Sequence, residues 1–167
     1  MTRFRAALIQ MRSSRSVDGN IAALDALVRE AAAGGAVYVQ TPETTGIMDE
    51  DPTRLFETLR TEAEDRTLAA ARGLARELGI HLHLGSLAVK VGDGRKAANR
   101  AFVIGPTGEI VGRHRKINVV SDALAWSSPG DSASPIECDG IKVGLLICSD
   151  VYTPNISRAL KIGRAHV

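Results

Sequence analysis

Aromatic side chains are scarce in this chain: three Phe, two Tyr and one Trp make up 4% of its 167 residues. Few rings are therefore available for bases to stack on. Basic residues exceed acidic ones by only two, with local crowding at Arg3 and Arg5, Arg12 and Arg15, and Arg113-His114-Arg115-Lys116. Such a balance reads as a solvated surface of mixed charge rather than a nucleic-acid footprint. No apolar run approaches the roughly 18 residues of a membrane span. Met1 to Arg5 lacks the apolar core and small-residue cleavage site of a secretion signal. There are only two cysteines, Cys138 and Cys148. Without a secretion signal they are expected as reduced thiols in a cytoplasmic protein, where chemistry is a better reason for a cysteine than a disulfide.

Cofactor signatures are missing as well. Gly92-Asp93-Gly94 is a turn, and nothing like GxxxxGK[ST] or GxGxxG occurs. His81 and His83 alternate in HLHL and share one strand face, as metal ligands can, but no Cys or acidic residue stands beside them at ligand spacing. No cofactor and no metal are expected.

What remains is an ordinary globular composition, 44% hydrophobic and 24% charged, enough for one domain. Residues 4–11 read as a short strand. Val17, Ile21, Leu24, Leu27, Val28 and Ala31 follow helical spacing up to Gly34-Gly35. Residues 36–40 form a second strand, ended by Thr41-Pro42, and residues 44–52 read as a loop. Asp65 caps a helix over residues 66–78, closed by Gly79. From Ile80 the pattern turns to strands: residues 80–91, then a hairpin of 97–104 and 109–114 around Gly105-Pro106-Thr107-Gly108, with 117–120 extending its second arm. A second hairpin joins 135–138 to 141–147 around Asp139-Gly140. IKVGLLIC is apolar on both faces and predicts a buried central strand. Pro154 starts a helix over 154–160. The expected fold class is α/β, a mixed sheet with helices packed on one face.

Residues 1–160 form the expected domain. Lys161 to Val167 interrupts the final helix, reads as a translated sequencing adapter, and is set aside as a non-native tail, together with His166.

Three residues stand at strand ends, where α/β proteins place their chemistry. Glu43 follows Pro42 in TPETTG and could act as a general base, although an exposed loop glutamate is the ordinary alternative. Lys116, in RHRKIN, is by default a solvated strand-edge lysine. Cys148 closes a buried strand before Ser149-Asp150 and a Pro-started helix. Backbone N–H groups beyond such a strand end can face an oxyanion, but free cysteine is also among the most buried residue types. Ser86, in LGS, lacks the setting of a hydrolase elbow. A papain-like enzyme would need a histidine after Cys148, and only His166 is available. Spacing alone does not join Glu43, Lys116 and Cys148. Unaided, the residues define a soluble α/β domain with candidate cysteine chemistry.

The motifs in order, however, resemble the nitrilase superfamily of carbon–nitrogen hydrolases. They are ALIQM, the helix containing Asp18 and Asn20, YVQTPE, LGS at 84–86, NRAFVIGPTGEIVGRHRKIN and VGLLICSD. The resemblance spans about residues 3–160 and points to the amidase-like branch, in a chain truncated at the C-terminus. It implies an αββα sandwich, here incomplete, that pairs into a homodimer or higher oligomer when full-length. It also implies a cofactor-free mechanism on a small linear amide, less readily a nitrile. Glu43 would serve as base, Cys148 as the nucleophile forming a thioester, and Lys116 with the Ser149 N–H as the oxyanion site. Ala123, with Asp122 beside it, stands where many members carry a second glutamate. The loop from Lys116 to Pro129 is short for the ω-amidase branch. A non-catalytic binding or assembly module, or an inactive fragment, is the competing expectation.

Overall fold

The structure, a computed structural model, describes residues 5–119 and 127–162. Strand β1 (Ala6–Leu8) leads into helix α1 (Val17–Ala33), whose N-cap Ser16 accepts a hydrogen bond from the Gly19 N–H. Asn20, Leu24 and Val28 recur every fourth residue and form the buried stripe of α1. Strand β2 (Tyr38–Gln40) ends at the turn that carries Glu43.

Helix α2 (Pro52–Thr58) is an element the apolar pattern did not announce. None of its residues is fully buried; only the adjacent Leu55 and Phe56 pack, partly exposed, against Ile47, Leu59 and Ala97, too few to set a helical period. Its start signal is chemical: Pro52 opens the first turn, and Asp51 accepts from the N–H groups of Thr53 and Arg54. Helix α3 (Arg66–Leu78) follows expectation, capped by Asp65 and closed by Gly79 at φ +65°.

Strands β3 (His81–Val91), β4 (Lys96–Ile104) and β5 (Ile110–Arg115) complete a five-stranded sheet in the order β1-β2-β3-β4-β5. The first three strands are parallel, and the last two join antiparallel. Helices α1 and α3 cover one face, packing Leu24, Val28, Leu68 and Leu74 on Leu82, Leu84, Phe102 and Ile104. Alternation along β4 sends Ala101 and Val103 to the opposite face. There they pack with Tyr38 against Ile136, Cys138, Leu145 and Ile147. The α/β class and the mixed sheet with its helices on one face are as expected.

Strands β6 (Ile136–Cys138) and β7 (Ile141–Val143) form the second hairpin. Its two-residue turn places Asp139 at φ +49° and Gly140 at φ +77°, the combination that matches the twist of paired strands. One expectation is corrected here. IKVGLLIC is not a single central strand, because pairing stops at Val143 and β7 has only β6 beside it among the described residues. Leu145 and Ile147 are buried all the same, each 1% exposed. Their apolar character serves sheet-to-sheet packing rather than a ladder. Residues 117–119 likewise do not extend β5.

A 3-10 turn (Cys148–Tyr152) leads into helix α4 (Pro154–Ile162). The helix thus runs two residues into the segment set aside as a tail. The rest of that segment, including His166, lies outside the described residues, as do Asp122 and Ala123.

Candidate active site

Glu43 and Lys116, 73 residues apart in sequence, meet: the Lys116 ammonium donates to Glu43 Oε1 at 2.8 Å. Both side chains are largely covered, Lys116 12% and Glu43 30% exposed. Several residues that sequence reasoning had not assigned a role create this meeting.

The turn after β2 is held against a break in β3. Pairing between β3 and β4 shifts register between Leu84 and Leu87, which frees Gly85 and Ser86 to serve the turn. Ser86 Oγ accepts from the Thr44 N–H at 2.9 Å, and the Ser86 carbonyl accepts from the Thr45 N–H at 3.0 Å. Gly85 donates its N–H to Thr41 Oγ at 3.1 Å. A Cβ at Gly85 would stand 2.3 Å from the Thr41 carbonyl oxygen, so only glycine lets the two backbones approach this closely. Thr44, next to Glu43, sits at φ +56°, an unfavourable conformation for a β-branched residue. Its hydroxyl donates to the Glu43 carbonyl at 2.7 Å.

Lys116 is placed by the end of β5. Its N–H donates to the Asn99 carbonyl on β4 at 2.9 Å, and its own carbonyl accepts from the Gly130 N–H at 2.9 Å. The Asn99 side chain also enters the site, its Nδ2 donating to Glu43 Oε1 at 2.6 Å.

Cys148 lies at φ +47°, exposed and free. Its Sγ makes no hydrogen bond to Glu43, to Lys116 or to any other described residue. Its turn is tied to the Lys116 segment through Asp150, which is completely buried. Asp150 Oδ1 accepts from the N–H groups of Ile117 at 3.0 Å and Asn118 at 2.7 Å. Asp150 Oδ2 pairs with His114 Nε2 at 2.9 Å and accepts from the Ile147 N–H at 3.1 Å. Burial pushes the Asp150 carboxyl up, but the Asn118 N–H, His114 and the Ile147 N–H outweigh it and hold the group below the usual carboxylate range. Asn118 and Ser149 add a reciprocal clamp. Ser149 Oγ donates to the Asn118 carbonyl, and Asn118 Nδ2 donates to the Ser149 carbonyl at 2.9 Å.

His81 and His83 do face one side of β3, but they take different partners. His83 Nδ1 meets the Tyr38 hydroxyl at 2.9 Å, and His81 Nδ1 meets Asp139 at 3.4 Å. Burial, with His114 nearby, pulls the His83 pKa down to about 4.

The arrangement therefore brings a carboxylate–ammonium pair to one end of a mixed sheet and ties to it, through Asp150, a turn carrying an exposed thiol. A base, a cation and a thiol are the residue types that cysteine-based acyl chemistry uses. The chain belongs to the carbon–nitrogen hydrolase family, whose pattern matches residues 5–167. It is 32% identical over 153 residues to a nitrilase of Pyrococcus abyssi, and 33% identical over 160 residues to the omega-amidase NIT2 of Mus musculus. Each match covers 90% of this chain, and the chain spans 57% and 56% of the length of these two relatives. An amidase from Nesterenkonia sp. AN1 superposes with a TM-score of 0.87 at 26% identity, over 98% of this chain and 64% of that one. In a mutant of that amidase, acrylamide has added to the active-site cysteine. No described helix is long and apolar enough to cross a membrane.

Proposed function

We propose that this chain carries the Glu43–Lys116–Cys148 site of an amidase that hydrolyses the C–N bond of a small linear amide, less readily a nitrile, through a thioester. The observation that carries this reading is the Lys116–Glu43 hydrogen bond, with the cysteine turn anchored to the two residues after Lys116. Glu43 takes the Cys148 proton, which matters because an unassisted thiol is mostly protonated at neutral pH. The thiolate attacks the amide carbon. The oxyanion is held by the Ser149 N–H and by Lys116, whose ammonium has three donors and commits one to Glu43. The C–N bond breaks as protonated Glu43 gives its proton to the leaving nitrogen, releasing ammonia or an amine. Water, deprotonated by Glu43, then attacks the thioester, and the acid product departs as the thiol re-forms.

The full-length protein is expected to work as a homodimer or higher oligomer on a small-molecule substrate, in the cytoplasm and without a cofactor. Residues 1–167 alone are expected to label at Cys148 without turnover. They span little more than half of their relatives, and Leu8 and Tyr152 remain 80% and 81% exposed.

Iodoacetamide labelling followed by peptide mass spectrometry tests the assignment. Cys148 should carry the adduct, Cys148→Ala should abolish it, and Glu43→Gln should slow it. Equal labelling of Cys138 and Cys148, indifferent to Glu43→Gln, would refute it.

A further inference from the structure

We propose that Asn99 is a positioning residue of this site, one that fixes which oxygen of Glu43 is left for proton transfer. The proposal rests on the reading of Glu43 as the base for Cys148. Asn99 touches both members of the buried pair. Its carbonyl accepts the Lys116 N–H at 2.9 Å, and its Nδ2 donates to Glu43 Oε1 at 2.6 Å. Lys116 Nζ donates to that same Oε1 at 2.8 Å. Two donors on Oε1 leave Oε2 with no hydrogen bond to a described residue. Oε2 is then the oxygen available to a thiol or a water.

The other end of the Asn99 amide shows that this orientation is held at a cost. Asn99 Oδ1 is buried without a hydrogen-bond partner. A buried acceptor left unpaired is unfavourable and calls for a reason. Turning the amide over would not relieve it, because Oδ1 would then face the Glu43 carboxylate, acceptor against acceptor. The carboxylate dictates the orientation, and the unpaired oxygen is its consequence. Strand alternation makes the placement possible: Asn99 shares its face with Ala101 and Val103, away from the helices. A residue serving only the fold would do better there as an apolar side chain, like those two neighbours.

The test is the rate of Cys148 alkylation by iodoacetamide on the 167-residue chain, followed by mass spectrometry, with melting temperature measured in parallel. Asn99→Asp keeps the shape and the bond to the Lys116 N–H but removes the donor. Asn99→Ser removes the same bond without adding charge. Both are expected to slow labelling about tenfold or more, the equivalent of one lost hydrogen bond to a charged group. In a Glu43→Gln background, the same changes should add less than about twofold, since the group Asn99 positions is already gone. Wild-type labelling in both variants, with Glu43→Gln slow, would overturn the Asn99 role alone. Equal slowing with and without Glu43, or a collapsed melt in both variants, would assign Asn99 to the fold and overturn it as well. Wild-type labelling in Glu43→Gln itself would remove the base assignment and this role with it.

Discussion

Replacing Gly85 by alanine should damage stability and the site together, and its magnitude follows from where the new methyl group would lie. The Cβ would stand 2.3 Å from the Thr41 carbonyl oxygen and 2.6 Å from the carbonyl carbon and oxygen of Pro42. Real Cβ contacts essentially never fall below 3.0 Å, so the turn must retreat by about 0.7 Å. The obstacle is backbone, so no rotamer change can absorb it. The part that retreats is Thr41-Pro42, immediately before Glu43. A comparable shift at Glu43 would stretch the 2.8 Å contact with Lys116 towards the limit of a hydrogen bond. The overpacking costs about 1–3 kcal/mol. Weakening the two bonds from Thr44 and Thr45 to Ser86 adds about 1 kcal/mol. Loss of alignment should slow Cys148 alkylation roughly ten- to a hundredfold. Urea unfolding by circular dichroism and timed alkylation measure the two effects. Gly73→Ala is the matched control: nothing lies within 4 Å of its Cβ, and in a helix interior it should stabilise by about 0.4–1 kcal/mol. If Gly85→Ala unfolds at the wild-type urea midpoint and labels at the wild-type rate, the close-approach argument is wrong.

Three other outcomes are expected. At pH 8, Cys148 should label at least about fiftyfold faster than Cys138, because burial, Asp139 and Glu137 push the Cys138 thiol up to about 11 and leave about one thiolate per thousand; comparable rates would refute this. Asp150→Asn should destabilise by about 2–4 kcal/mol, since two of the four donors on the carboxylate lose a proper acceptor; a loss under about 1 kcal/mol in urea unfolding would contradict it. The His83 pKa near 4 lies below the unfolded value of about 6.5, so the unfolded chain takes up the proton first. Its contribution is therefore complete above pH about 6.5 and declines towards pH 4, by about 3 kcal/mol in all. Urea midpoints measured from pH 7.5 to 4.5 should fall in the wild type and flatten in His83→Gln; a flat wild-type curve would count against a buried neutral imidazole.

The elements that sequence revealed were those with a local signal. Helix α3 has a capping aspartate, an apolar stripe and a closing Gly79, and the structure gives it the expected bounds. The β4–β5 and β6–β7 hairpins were visible through their turn residues. Helix α2 was missed because only Leu55 and Phe56 pack inward, too few to set a period, and β7 was overextended because an apolar run does not reveal whether a neighbouring strand is present to pair with it. At the site, residue type and expected strand-end position made Glu43, Lys116 and Cys148 candidates, and only the family resemblance joined them, since the strand expected to end at Cys148 stops at Val143. Asn99 and Asp150 were visible only as letters within motifs, and Ser86 only as a serine without the setting of a nucleophile. Their roles turn on contacts that include spans of 56, 42 and 32 residues, and no local pattern encodes such a distance.

That difference has a physical basis. A chemically reactive residue declares itself by type, whereas the residues that aim it are ordinary polar side chains whose importance comes from burial. Asp150 shows this most clearly. An aspartate one residue beyond a cysteine-serine pair would usually be a solvated turn residue. Here it is wholly buried, and four donors from three segments converge on it: β5 through His114, the loop after Lys116, and the unpaired segment before Cys148 through Ile147. Burying a carboxylate is costly unless such donors are already in place. The cost therefore falls on any conformation in which the cysteine turn and the lysine loop drift apart. The positive φ of Cys148 can persist because the next residues are held from several directions at once. Asp150 thus links the placement of the nucleophile to that of Lys116, and weakening it should loosen both together.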